Sequence, residues 1–109
     1  MAQDIQLERI PNQQFVITLG GHNYDIRIYS IDGHMAYDLT LNDVVIIQGF
    51  KFVNEVLMLP HVHQELNGNL ILIVPEDELP DYKLFNDSQF LVYLDDAETL
   101  LYRNRVEVI

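Results

Sequence analysis

The chain has 109 residues, no cysteine and a formal net charge of −11. Those values imply one domain with no disulfide framework, no thiolate nucleophile and no zinc–thiolate site. Seventeen acids against six bases argue against nucleic acid as a partner, because phosphate binding needs clustered Lys and Arg.

The charge is uneven: residues 54–102 hold ten acids and a single base, Lys83. A solvated acidic surface is the plain reading, and a basic protein surface is the partner it would suit best. No apolar run approaches the roughly 18 residues of a membrane span. Met1-Ala2-Gln3-Asp4 has neither the basic region nor the apolar core of a secretory signal, so synthesis in a cytosol is expected.

Ile5, Leu7 and Ile10 alternate with polar residues and suggest a short first strand ending at Pro11. From Phe15 to Gln48 three apolar/polar alternations are separated by short turn signals, Gly20-Gly21-His22-Asn23, Asp32-Gly33 and Asn42-Asp43. Period-two alternation broken by such pairs predicts an antiparallel meander. With Gly21-His22 as the first loop, Leu19 should face Tyr24, Ile17 face Ile26 and Phe15 face Ile28. With Asp32-Gly33 as the second, Ile28 should face Tyr37 and Ile26 face Leu39, and Arg27 sits across from Asp38 on the opposite face. With Asn42-Asp43 as the third, Leu39 should face Ile46 and Met35 face Phe50. The Arg27–Asp38 pair is expected as a register device in solvent, because a one-residue slip would set Arg27 against Leu39.

Val44–Val53 is predicted as a strand interrupted at Gly49, followed by a turn at Asn54-Glu55 and a short strand Val56–Leu59 closed by Pro60. Asn67-Gly68 predicts a hairpin between His61–Leu66 and Leu70–Val74. Leu70–Val74 is apolar at five successive positions, so cover on both faces is expected, the second from another subunit. Pro75–Tyr82 is an acidic, proline-bracketed loop, Leu84-Phe85 a brief turn and Phe90–Leu94 a strand. Asp95–Tyr102 is the one predicted helix, capped by Asp95 or Asp96. Arg103–Ile109 alternates and is expected as a last strand or ordered tail. The fold class expected is all-β with at most one short helix: a small antiparallel β-barrel or β-sandwich, one domain over residues 1–109.

Chemistry is sparse. His61, His63 and Glu65 would share one face of a strand, the weak basis for a metal site in a small metal-binding hydrolase, but no third ligand converges locally. Glu76, Asp77, Glu78 and Asp81 lack the spaced ligands and glycine of a calcium loop; a basic peptide is the ligand such a binding module would take. Asp95 and Asp96 are adjacent and diverge, so they make a poor acid–base pair. His22 and His34 fall at turns. The chain has six tyrosines and five phenylalanines without a basic groove around them, which suggests packing roles. No cofactor is implied.

Several ordered segments are similar to one family. They are Ile10-Pro11-Asn12-Gln13, Phe15-Val16-Ile17-Thr18-Leu19-Gly20-Gly21, Tyr24-Asp25-Ile26-Arg27-Ile28-Tyr29 and Met35-Ala36-Tyr37-Asp38-Leu39. Further on come Leu59-Pro60, Asn69-Leu70, Pro80-Asp81-Tyr82 and Leu91-Val92-Tyr93-Leu94. Together they resemble the phage baseplate plug family, small tail proteins of tailed phages and prophages. The likeness spans roughly residues 5–96 and departs from the pattern at Leu84–Phe90 and in the basic tail Arg103–Ile109.

The resemblance implies a non-enzymatic structural virion protein at the distal end of the tail tube, made in the bacterial host cytoplasm. Its implied partners are hub, spike, tail tube or wedge proteins, with self-association through β edges. Interface candidates are Tyr29, Phe52 and Tyr82 as exposed aromatics, Leu70, Ile71 and Ile73 as a doubly apolar strand, and Glu76, Asp77, Glu78 and Asp81 as the acidic loop.

Overall fold

The computed structural model describes residues 3–53 and 56–107, and of residues 105–107 only the helical backbone. The turn expected at Asn54-Glu55 and the last two residues of the expected tail lie outside the described residues. Seven strands are described: β1 (Gln3–Ile5), β2 (Asn12–Leu19), β3 (His22–Ile31), β4 (His34–Leu41), β5 (Val44–Lys51), β6 (Gly68–Ile73) and β7 (Phe90–Asp95). Helix α1 (Asp96–Glu107) follows, and single 3-10 turns occur at Val62–Gln64 and Tyr82–Leu84. The strands form two antiparallel sheets, ordered β2-β3-β4-β5 and β1-β7-β6. They pack face to face as a sandwich and do not close into a barrel.

Three two-residue turns build the meander. Both central residues have positive φ in each: Gly20 57° and Gly21 81°, Asp32 50° and Gly33 78°, Asn42 48° and Asp43 67°. That geometry matches the right-handed twist of the flanking strands. The first turn is Gly20-Gly21, not Gly21-His22, because two glycines adopt left-handed backbone at less cost than a glycine and a histidine. Leu19 therefore faces His22, Ile17 faces Tyr24 and Phe15 faces Ile26. The shift is two residues, so each side chain keeps its expected face. Across β3 and β4 the expected pairs Ile28–Tyr37, Ile26–Leu39 and Arg27–Asp38 are all present.

Between β4 and β5 the register shifts twice, so Leu39 faces Ile47 rather than Ile46, and Phe50 faces Tyr37 rather than Met35. The interruption is at Gly49, whose φ is +67° and whose N–H donates to Asp38 Oδ1 at 2.7 Å. The same oxygen accepts from the Tyr29 hydroxyl at 2.9 Å, and Arg27 lies 3.5 Å from Oδ2 and 4.5 Å over the Tyr29 ring. Asp38 thus fixes both the cross-strand register and the bulge.

The core lies between the sheets. Tyr24, Ile26, Ile28, Tyr37 and Leu39 of the meander meet Leu70, Leu72, Leu91 and Tyr93 of the smaller sheet. Residues of opposite parity, Ile71 and Val92, face the other way and pack with Leu57, Phe90, Leu94 and Tyr102. Tyr102 lies on α1, so the second cover over β6 comes from this chain's own helix and not from another subunit. Asp95 caps that helix: its carboxylate accepts the Glu98 N–H at 2.9 Å, and the Glu98 carboxylate accepts the Asp95 N–H at 3.1 Å. This reciprocal pair is a capping box. The helix runs on to Glu107, which replaces the strand or tail expected from Arg103.

Three other expectations change. β1 stops at Ile5, because the Asn86 side chain takes both the N–H and the C=O of Leu7. Val56–Leu59 is not a strand: after one bridge from Leu57 to Ile71, the Asn69 amide takes both backbone groups of Leu59. The hairpin at Asn67-Gly68 is absent, and Val62–Gln64 forms a 3-10 turn instead. Gly68 is needed for space, since a Cβ there would come within 2.5 Å of the Leu94 carbonyl oxygen. Asn67 serves as a tie between sheets, its Nδ2 donating to the Gly20 carbonyl at 2.6 Å.

Two core tyrosines differ in their hydroxyls, and this gives opposite predictions. Tyr37 donates to the Met58 carbonyl at 2.7 Å, whereas the buried Tyr24 hydroxyl has no hydrogen-bond partner among the described residues. Tyr24→Phe should raise stability by about 1 kcal/mol, and Tyr37→Phe should lower it by about 1 kcal/mol; urea titrations of the two variants test the opposite signs. Burial first, then the charge of Tyr93, pushes the Tyr24 hydroxyl from 10.0 up to about 12. A raised folded value favours the neutral form, so this contribution is complete below pH 10 and is lost as pH rises towards 12. Tyrosinate absorbance and circular dichroism followed together should show unfolding within that window, with Tyr24 among the last groups to ionise. Asp38→Ala should cost about 1–2 kcal/mol, against under about 0.5 kcal/mol for Arg27→Ala, whose side chain is largely in solvent.

Candidate functional site: interaction surfaces

The residues of the expected metal site separate. His61 precedes the 3-10 turn and His63 lies within it, both in solvent, their rings stacked at 5.6 Å between centroids. Glu65 turns inward and pairs with Arg103 of α1, Nη2 to Oε2 at 2.6 Å and Nε to Oε2 at 3.1 Å. Asn69 Nδ2 donates to the same oxygen at 2.5 Å. Arg103 also donates to the carbonyls of Pro60 at 3.1 Å and Leu59 at 3.0 Å. The two charged side chains are only 16% and 12% exposed. Glu65 is the anchor of a polar knot that clamps α1 to the segment before β6. Among the described residues no group of three His, Asp or Glu converges as a metal site.

The acidic loop is pinned from inside. Gln89, fully buried, donates to Glu78 Oε1 at 3.2 Å and to the Leu79 carbonyl at 2.7 Å, and accepts from the Asp81 N–H at 2.9 Å. Ser88 donates to the same Glu78 oxygen at 2.7 Å. Asp81 caps the second 3-10 turn by accepting the Lys83 N–H at 3.0 Å. Glu78 and Asp81 are therefore scaffold, while Glu76 and Asp77 remain in solvent.

The apolar candidates also divide. Phe52 is buried, packed at 4.6 Å between ring centroids against Tyr37, which corrects the expectation that it is exposed. Leu70 and Ile71 are interior, and Ile73 is 44% exposed at the end of β6. Tyr29 is half-buried in the Asp38 cluster, and Tyr82 is half-buried against the core.

Two surfaces had no signal in the alternation. Leu79 is 80% exposed at the tip of the acidic loop. With Pro80, Val53, Lys51, Phe52 and His34 it lines an open groove of about 350 Å³ against the β3–β4 turn. A solvent-facing leucine held on a pinned loop over an apolar groove makes this a candidate contact surface. The other is the free edge of β2, which only the sheet order reveals.

Removing one partner of the knot should be costly. Glu65→Ala should destabilise by about 2–4 kcal/mol, because it leaves the Arg103 guanidinium partly buried and unpaired. His61→Ala with His63→Ala should leave the melting temperature unchanged, and chelator should not alter it in either protein. Differential scanning calorimetry checks both.

No curated protein matches the chain. The profile of the family described as cyanophage baseplate Pam3 plug gp18 matches residues 2–97. That span holds all seven described strands and both 3-10 turns, and it ends in the first turn of the helix. The β-sandwich of two packed sheets and the match over nearly the whole chain place this protein in the cyanophage baseplate plug family, a family of structural baseplate proteins.

Proposed function

We propose that the chain is a non-enzymatic structural part of a phage tail. In this reading it sits as a plug or hub-associated piece at the distal end of the tail tube and is made in the host cytoplasm. The observation that carries this is the family match over residues 2–97. Membership implies association with other baseplate components, and hub, spike, tube or wedge proteins are the partners proposed here.

The groove at Leu79 supports a specific mode of contact. Its apolar lining would take an apolar side chain of the partner, and Glu76 and Asp77 beside it would meet basic residues. Pinning by Gln89 removes much of the ordering cost of docking that loop, which is how a small surface gains affinity. This absorbs the basic-peptide reading of the acidic loop as part of the same assembly contact. The metal-hydrolase reading has no comparable support, since Glu65 is engaged by Arg103.

Mass spectrometry of purified phage particles and of isolated tails tests the assignment. The chain should be found in both, at a fixed ratio to the hub; its absence from intact particles overturns the proposal. Leu79→Asp should leave the melting temperature within about 1 °C, because the side chain makes little contact in the isolated protein. The same variant should lower incorporation into tails at least severalfold in a complementation assay.

A further inference from the structure

We propose that β2 is a self-association edge: it pairs antiparallel, about a two-fold axis, with β2 of a second copy, joining two four-stranded sheets into one of eight. The edge is open and regular. β2 is eight residues long, ends one side of the meander sheet and pairs with β3 without a register shift. The other described edges are blunted. β5 carries two register shifts and the Gly49 kink. β6 is bridged by Leu57 and bonded through the Met58 N–H to the Leu70 carbonyl at 2.8 Å. β1 has three residues. Edges left open are normally protected by charge, proline or a bulge, and β2 has none of these between Asn12 and Leu19.

The free backbone groups can be assigned. The Pro11 carbonyl accepts the Ser30 N–H at 2.8 Å, so the odd-numbered positions of β2 turn their backbone groups to β3. Hydrogen-bonded and non-bonded pairs alternate in an antiparallel ladder. Asn12, Gln14, Val16 and Thr18 therefore direct N–H and C=O outward. A two-fold placed at Val16 pairs Val16 with Val16 and Gln14 with Thr18 as hydrogen-bonded pairs, both on the solvent-facing side. On the core side it sets Phe15 against Ile17 twice. Phe15 and Ile17 are only partly covered in one copy, and Val16 is 66% exposed. Each apolar residue then meets another, and every outward backbone group in the paired stretch finds a partner.

Charge favours this strip over the rest of the surface. The chain carries −11, yet Pro11–Gly21 contains no charged residue. The nearest acid on that face is Asp25, opposite Val16. In the paired sheet the two Asp25 residues lie three strand spacings apart, about 14 Å, beyond the roughly 8 Å Debye length at physiological salt. Repulsion between the bodies is therefore screened while the contact itself is neutral, so salt should strengthen association.

Sedimentation equilibrium of the full chain, from micromolar to millimolar, tests this directly. The mass should move from 12.7 kDa towards twice that value, and raising salt from low to physiological should lower the dimer dissociation constant severalfold. Val16→Pro should abolish the shift while keeping the melting temperature close to wild type, since the lost N–H faces away from β3. Should that variant fold poorly, Val16→Lys keeps every backbone bond and sets like charges across the axis, and it should also remain monomeric.

Because the chain has no cysteine, Val16→Cys adds a single thiol. It should form a covalent dimer on mild oxidation, whereas Gln14→Cys, about 13 Å from its own copy, should not. A mixture of Gln14→Cys and Thr18→Cys should cross-link. A monomer at all concentrations, a dimer that survives both Val16 variants, or equal cross-linking at positions 14 and 16 overturns the proposal. None of these outcomes bears on whether the protein is a tail component.

Discussion

The structure depends on three turns of two residues, each with both residues in left-handed backbone. A turn of that kind leaves no slack: it fixes which residues face each other and, through the period of two, which face of each strand becomes core. Once the meander is set, Tyr24, Ile26, Ile28, Tyr37 and Leu39 form one continuous apolar surface. The smaller sheet then docks on it with residues distant in sequence. Asp38 reinforces the arrangement from outside, where it holds Arg27, Tyr29 and the Gly49 amide together.

What the sequence made legible follows from this. The meander is local, so alternation and turn residues were enough to find the β3–β4 register, the Arg27–Asp38 pair and the break at Gly49. The first turn lies one residue earlier than the alternation suggests, which shifts the β2–β3 pairing by two, and a shift of two preserves the facing of every side chain. The region from Val56 to Leu66 was illegible for the opposite reason. There the side chains of Asn67 and Asn69 take backbone partners across space, at Gly20 and at Leu59. An Asn-Gly pair is a turn signal only when nothing distant competes for it, and here the packing of Tyr93 and Leu94 requires the glycine.

The candidate site divides along the same line between local and distant contacts. Glu65 sits 38 residues from Arg103, and no local spacing could reveal that a helix would return to claim it. The same helix covers Ile71 and Val92 through Tyr102. This is why a strand apolar on both faces needs no other subunit for its second cover. The acidic loop was visible in composition, but its rigidity was not, since that comes from one buried glutamine on a later turn.

This division changes what the net charge means. Ten acids crowd residues 54–102. Five of them have internal work: Glu65 in the knot, Glu78 under Gln89, Asp81 at a turn, and Asp95 with Glu98 at the helix cap. The excess negative charge is therefore partly architecture, spent on capping and clamping segments that lack strand ladders of their own. What remains in solvent at the acidic loop is narrow, Glu76 and Asp77 beside Leu79. A small protein whose irregular segments are fixed by side-chain hydrogen bonds holds its surface features in place before any partner arrives. Such a surface suits a part that must fit a fixed position in an assembly: the cost of shaping it is met in folding, and contact with a neighbour need only exclude water.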